Sequence, residues 1–213
     1  MSKGCGGSDN PDITTEYESR KLFRFVGATK DDVFYDLGCG YGNPCIVAAR
    51  DLKIKKVVGI EYCRDNYLEA YCRIMEKRLT DRIWLWHKSI LEAKLDDATL
   101  VYCTLKPNFD IIKHLQRELK KECRLITTNT PLPSIKKSDE FEIKGEKFYV
   151  MKAPLEDHKA DNPDEWVSSF GYSSFREYYD ELEDDRDKRW IRNLMYKIYG
   201  KRKVRKALQR VQV

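Results

Sequence analysis

The stretch Asp36-Leu37-Gly38-Cys39-Gly40-Tyr41-Gly42 places three glycines at alternate positions behind an acid, and a second acid, Glu61, follows 25 residues after the first. Each acid closes a short apolar run, Val33-Phe34-Tyr35 and Val57-Val58-Gly59-Ile60. Glycines here let the chain take dihedrals closed to other residues and let a ligand approach the backbone. Behind them, Asn43 reads as an N-cap and Pro44 as a first helical residue. The helix N-terminus then points N–H groups and positive dipole at the same place. A pyrophosphate-binding turn is spelled G-x-G-x-x-G. Here the third glycine comes one residue early, and a carboxylate ahead of the turn is awkward beside a pyrophosphate. Asp36 instead suits a ligand carrying positive charge. Glu61, at the tip of the next strand, suits the paired hydroxyls of a ribose. S-adenosylmethionine (SAM) has an ammonium, a sulfonium and a ribose, and its carboxylate fits the helix N-terminus.

The elements that must hold these residues are legible as periodicity. Thr14–Val26 reads as an amphipathic helix with Tyr17, Leu22, Phe23 and Val26 on one stripe. Strands are expected at Val33–Asp36, Lys56–Glu61, Ile83–His87, Thr99–Thr104 and Cys123–Thr128, with helices at Pro44–Leu52, Arg64–Leu79 and Asn108–Lys121 between them. Phe141–Ile143 and Lys147–Met151 alternate around Lys144-Gly145-Glu146, a hairpin signature. The expected fold is α/β, a Rossmann-like doubly wound, mostly parallel seven-stranded sheet ending in an antiparallel hairpin, followed by a C-terminal helical extension. Residues 1–13 read as a flexible lead-in, 14–153 as the SAM-binding domain and 154–213 as the extension.

The extension is acidic, then basic. Leu155–Asp185 holds 11 acids against two Lys or Arg, and Arg186–Val213 holds 11 Lys or Arg against one acid. One helix is expected from Ser173, carrying Phe175, Tyr178, Tyr179 and Leu182. Another is expected over Asp187–Gln209, with Trp190, Ile191, Leu194 and Ile198 on one face. Within it, Lys201–Lys206 offers only Val204 for burial, so this run is expected to stay exposed and to contact nucleic acid or an acidic protein.

Composition narrows the class further. No apolar run approaches the roughly 18 residues that span a bilayer, and Met1–Asn10 lacks the apolar core of a signal peptide. Seven cysteines, an odd number without a CxxC pair, point to reduced thiols and a cytoplasmic protein. The histidines, His87, His114 and His158, are scattered, so no metal site is expected. Nothing in the sequence sets an oligomeric state.

Asp36-x-Gly38-x-Gly40-x-Gly42 with Glu61 resembles the first two motifs of class I SAM-dependent methyltransferases over about Thr14–Met151. Within that class, Tyr35-Asp-Leu-Gly-Cys-Gly40 followed by Lys56-Val-Val-Gly-Ile-Glu61 resembles the archaeal protein-lysine methyltransferases related to the histone lysine methyltransferases without a SET domain. The resemblance implies Asp36, Gly38, Gly40, Gly42 and Glu61 as cofactor residues, Ser89 and Ile90 beside the adenine, and Tyr62 packing on it. It implies in-line methyl transfer to the lysines of proteins with broad specificity. Tyr17, Tyr102 and Thr104 are the candidates for the acceptor side, and Thr104 stands where the archaeal relatives tend to have an apolar residue. The Asn-Pro-Pro-aromatic signature of enzymes that methylate base amines is missing from Tyr102–Asn108, and no general base is identifiable. The basic tail keeps an RNA or ribosome-associated methyltransferase open, and a non-catalytic SAM-binding module is a third reading.

Overall fold

The computed structural model describes residues 14–105, 109–129, 132, 135, 138–155, 162–168, 172–182 and 185–209. The lead-in, residues 1–13, lies outside them. Strands β1 (Val33–Leu37), β2 (Lys56–Glu61), β3 (Ile83–His87), β4 (Leu100–Cys103) and β5 (Arg124–Thr128) run parallel. Strand β7 (Glu146–Lys152) is antiparallel to both β5 and β6 (Asp139–Ile143), giving the seven-stranded order β3-β2-β1-β4-β5-β7-β6. The expected hairpin is present. Its turn residues Lys144 and Gly145 both have positive φ, the pattern that matches the right-handed twist of the paired strands. The order reverses between β1 and β4, so the carboxyl ends of β1 and β2 border the crevice where such sheets bind ligands.

Helices cover both faces because the central strands are apolar on both sides. On one face, α1 (Glu16–Phe25), α2 (Asn43–Arg50) and α3 (Arg64–Glu76) enclose Leu22, Phe23, Phe34, Ile46, Val57 and Tyr102. A capping box starts α1: Thr15 Oγ1 accepts from the Glu18 N–H at 3.2 Å, and the Glu18 carboxylate accepts from the Thr15 N–H at 2.7 Å. The buried residues of α1 are Ser19, Leu22 and Phe23, whereas Tyr17 is 49% exposed. Tyr17 therefore leaves the expected stripe. Five residues before Leu22, it points about 140° away around the helix.

The other face is closed by α4 (Phe109–Glu118) and, among the described residues, by four C-terminal helices: α5 (Pro163–Ser168), α6 (Phe175–Glu181), α7 (Asp185–Tyr199) and α8 (Lys201–Gln209). Trp166, Phe175, Ile191, Leu194 and Val204 share one core with Leu115 of α4 and with Tyr35, Val58 and Met151 of the sheet. The extension is thus docked on the sheet. Two expectations change. The single helix over Asp187–Gln209 is two, since Gly200 adopts φ +82° and ends α7 as glycine does at helix C-termini. The Lys201–Lys206 run keeps its cations exposed, but its helix packs inward through Val204 and Ala207. Helix α5 has no counterpart in the expected elements. Its signal was Asn162-Pro163, and Asn162 Oδ1 does accept from the Glu165 N–H at 3.1 Å. No helix among the described residues is long and apolar enough to cross a membrane.

Candidate functional site

The glycine turn is built by backbone constraint. The N–H groups of Gly38 and Cys39 both donate to the Ile60 carbonyl, at 2.8 and 3.0 Å, folding the chain over the end of β2. Gly40 has φ +51°, and a Cβ on it would project into open space. Gly38 has φ +82°, and a Cβ there would come within 2.9 Å of the Leu105 side chain. Helix α2 is capped by Gly42 in the left-handed region, with Asn43 its first residue, so the expected N-cap role of Asn43 is not met. Asn43 instead ties three helices together. Its Nδ2 donates to the Thr14 carbonyl at 3.1 Å, and its Oδ1 accepts from the Arg73 guanidinium at 2.8 Å.

Both acids are buried, Asp36 at 1% and Glu61 at 8% exposure. Glu61 accepts from the Gly40 N–H at 2.9 Å with Oε2 and from the Cys63 N–H at 2.7 Å with Oε1. It therefore clamps the glycine turn to the start of α3. A carboxylate offers about four acceptor positions, so about two stay available for hydroxyls. Asp36 accepts from the Cys45 thiol at 3.6 Å. Burial pushes the Asp36 carboxyl up to about 7, the Cys45 hydrogen bond opposes this, and the charge of Glu61 adds to it. Two buried carboxylates that repel each other, one of them bonded to the turn at Gly40, make a place that favours a positively charged ligand.

The rim mixes exposed and buried groups. Tyr62 is 72% exposed, and its carbonyl lies 3.0 Å from His87 Nε2. Ser89 caps the short 3-10 turn Ile90–Glu92 by accepting from the Leu91 N–H at 3.3 Å, while Ile90 is buried in the core beneath it. Tyr102 is completely buried, with its hydroxyl 2.7 Å from Thr14 Oγ1 and 2.9 Å from Thr128 Oγ1. It fastens the start of α1 over the sheet instead of presenting itself to an acceptor, a departure from the sequence expectation. Tyr17 is exposed, with Lys144 Nζ 4.9 Å and Lys21 Nζ 5.7 Å from its ring centre. Thr104 donates to the Gly38 carbonyl at 3.4 Å, beside Leu105, which is 38% exposed. The sequence reading missed Leu105; an apolar side chain just past a strand end was the available signal. Burial pushes the Cys103 thiol up to about 12, so it is a packed strand residue and no nucleophile.

Residues 16–104 match the family model described as histone methylation protein DOT1. A protein-lysine N-methyltransferase of Saccharolobus islandicus (strain REY15A) is 33% identical over 134 residues, which span 62% of this chain and 76% of that protein. The chain belongs to the class I SAM-dependent methyltransferases. Two solved structures show the same fold. One is an RNA methyltransferase from Salinibacter ruber in complex with S-adenosyl-L-homocysteine, at TM-score 0.63 and 24% identity, covering 68% of this chain and 96% of that one. The other is TrmN from Thermus thermophilus, at TM-score 0.54 and 13% identity, covering 65% of this chain and 49% of that one.

The raised Asp36 carboxyl gives the methyltransferase a testable pH dependence. Below its ordinary value of 3.8 the acid is protonated in both folded and unfolded chains. As pH rises to about 7 the unfolded chain ionises first and folded stability is lost, and above 7 the loss is complete. We expect Asp36→Asn, which keeps the shape and the acceptor for Cys45, to raise the melting temperature of the ligand-free enzyme at pH 8 by several degrees and to change it little at pH 4. SAM affinity should fall at least tenfold, about the worth of one charge-assisted contact. A lower melting temperature at pH 8 would show that the Asp36 charge is compensated in the free protein.

Proposed function

We propose that this methyltransferase moves the SAM methyl group to the side-chain amine of lysines in proteins. The observation that carries this reading is the 33% identity to a protein-lysine N-methyltransferase across 76% of that enzyme's length. In the proposed arrangement Glu61 accepts from the ribose hydroxyls and Asp36 faces the positively charged end of the cofactor. Gly38, Gly40 and Gly42 give backbone access, Tyr62 covers the adenine, and Ser89 with the backbone of Ile90 borders it. Bound SAM supplies a methyl already activated by its positive sulfur. The chain's own task is positioning and desolvation. A lysine ammonium, with a reference pKa of about 10.4, must lose a proton before it can attack. Burial between Thr104 and Leu105, at the lip of the glycine turn, would lower that value.

The exposed cations of α8, among them Lys201, Arg202, Arg205 and Lys206, support contact with a polyanion such as nucleic acid or an acidic protein surface. They keep RNA as a second acceptor to be tested in the same experiment. The full chain is incubated with methyl-labelled SAM, a protein extract and total RNA, and the products are separated and digested. Methylated lysine in the protein fraction is the expected result. Label confined to RNA would refute the lysine assignment.

A further inference from the structure

A strip of side chains on strand β3 takes no part in the site above. Positions 82, 84, 86 and 88 are Arg, Trp, Trp and Lys. Two-residue alternation places Trp84 and Trp86 on one face of β3, and Arg82 and Lys88 stand immediately before and after the strand. Strand β3 is an edge strand. Trp84 lies opposite Val58 and Trp86 opposite Ile60, and those two residues point into the core on the α4 side. There the sheet is not closed by a long helix, because the link from β3 to β4 contains just the 3-10 turn Ile90–Glu92. Trp86 is partly buried, edge-on to Tyr35 at 6.4 Å, and Lys88 Nζ sits 4.2 Å from its ring centre. Trp84 remains 46% exposed. A lone surface aromatic needs no explanation. An exposed tryptophan alternating with a second one, and bracketed by cations, has a specific chemistry.

We propose that this strip binds single-stranded nucleic acid, with a base stacked on Trp84 and phosphates held by Arg82 and Lys88. Every base has a π-face, so stacking on an aromatic side chain tolerates any sequence. Cations at both ends match a backbone running along the strand. A duplex keeps its bases stacked on each other and cannot use Trp84. This separates the strip from α8, which carries cations without an aromatic residue and should hold single and double strands alike. The inference does not depend on which acceptor is methylated.

The test uses the full chain and a fluorescein-labelled RNA of about 12 nucleotides, within the span such surfaces occupy, compared with its blunt duplex by fluorescence anisotropy. Trp84→Ala should weaken single-strand binding about tenfold, the effect of losing one stacked base, and leave duplex binding within about twofold. Trp84→Phe should keep most of the affinity. Arg82→Gln with Lys88→Gln should reduce the slope of log affinity against log salt by about two, one for each phosphate contact. Because Trp84 is half exposed, its variants should melt close to wild type, which shows that the fold is retained. Unchanged single-strand affinity in Trp84→Ala would overturn the proposal. Equal losses on both RNAs would overturn it too, as would loss of protein labelling with RNA binding intact, which would make the strip a protein-docking surface.

Discussion

Replacing Glu61 with alanine is expected to lower SAM affinity by at least a hundredfold while leaving a folded protein. Two losses combine. The first is the pair of ribose hydrogen bonds assigned to its free acceptor positions, each charge-assisted and worth about 1.5–3 kcal/mol. The second is the clamp on the Gly40 and Cys63 N–H groups, at 2.9 and 2.7 Å, without which the glycine turn is no longer held in its binding shape. Glutamine should rescue poorly. One of its two ends is an NH2, which would meet an N–H donor where a carboxylate oxygen now accepts. Either change also removes the charge that helps to raise Asp36, so the loss of ligand-free stability that begins above pH 3.8 should end at a lower pH and be smaller. Calorimetric titration of SAM reads the first effect, and melting curves across pH read the second. Wild-type affinity in both variants would place the ribose elsewhere.

The residues at the heart of this site were legible because their signals are local. An acid, three glycines and a second acid after the next apolar run are separated by fixed numbers of residues, and a strand-turn-helix unit turns that spacing directly into geometry. What was not legible depends on neighbours far away in sequence. Tyr102 looked available at the end of β4, yet Thr14, 88 residues earlier, takes its hydroxyl. Asn43 looked like a cap, but its side chain is claimed by Thr14 and Arg73. Leu105 becomes part of the rim because Gly38 leaves the volume it fills. The same holds for the fold. The seven strands follow from apolar runs and turn residues. The apolar stripe of Trp190, Leu194 and Ile198 announced that the helix after Asp187 must be buried, and it packs on the core. The inward packing of α8 through Val204 and Ala207 was not legible, because two small apolar residues among cations make no such stripe.

The last helix gives the second large effect. Its sequence, Lys201-Arg-Lys-Val-Arg-Lys206, looks like a solvated tail that could be cut away without loss. In the structure Val204 is 0% and Ala207 3% exposed, and the Leu208 carbonyl accepts from the Arg176 guanidinium at 2.9 Å. Removing residues 201–213 therefore opens the faces of α5, α6 and α7 against which α8 packs. Full burial of one valine is worth about 1.5–3 kcal/mol. With the uncovered partners, the truncated enzyme should lose about 2–4 kcal/mol. For a chain of this size each kcal/mol moves the melting temperature by about 2–4 °C, so a fall of about 5–15 °C is expected in a thermal scan. Val204→Asp should reproduce much of that fall while keeping every cation. Changing Lys201, Arg202, Arg205 and Lys206 together to glutamine should do the reverse, leaving the melting temperature near wild type while weakening duplex binding. Well below its melting point the truncated enzyme should still bind SAM within about threefold of wild type, because one decade of affinity corresponds to 1.4 kcal/mol and α8 packs chiefly on α5, α6 and α7. An unchanged melting temperature in the truncation would mean that Val204 and Ala207 add nothing to the core, and α8 would then be an appendage after all.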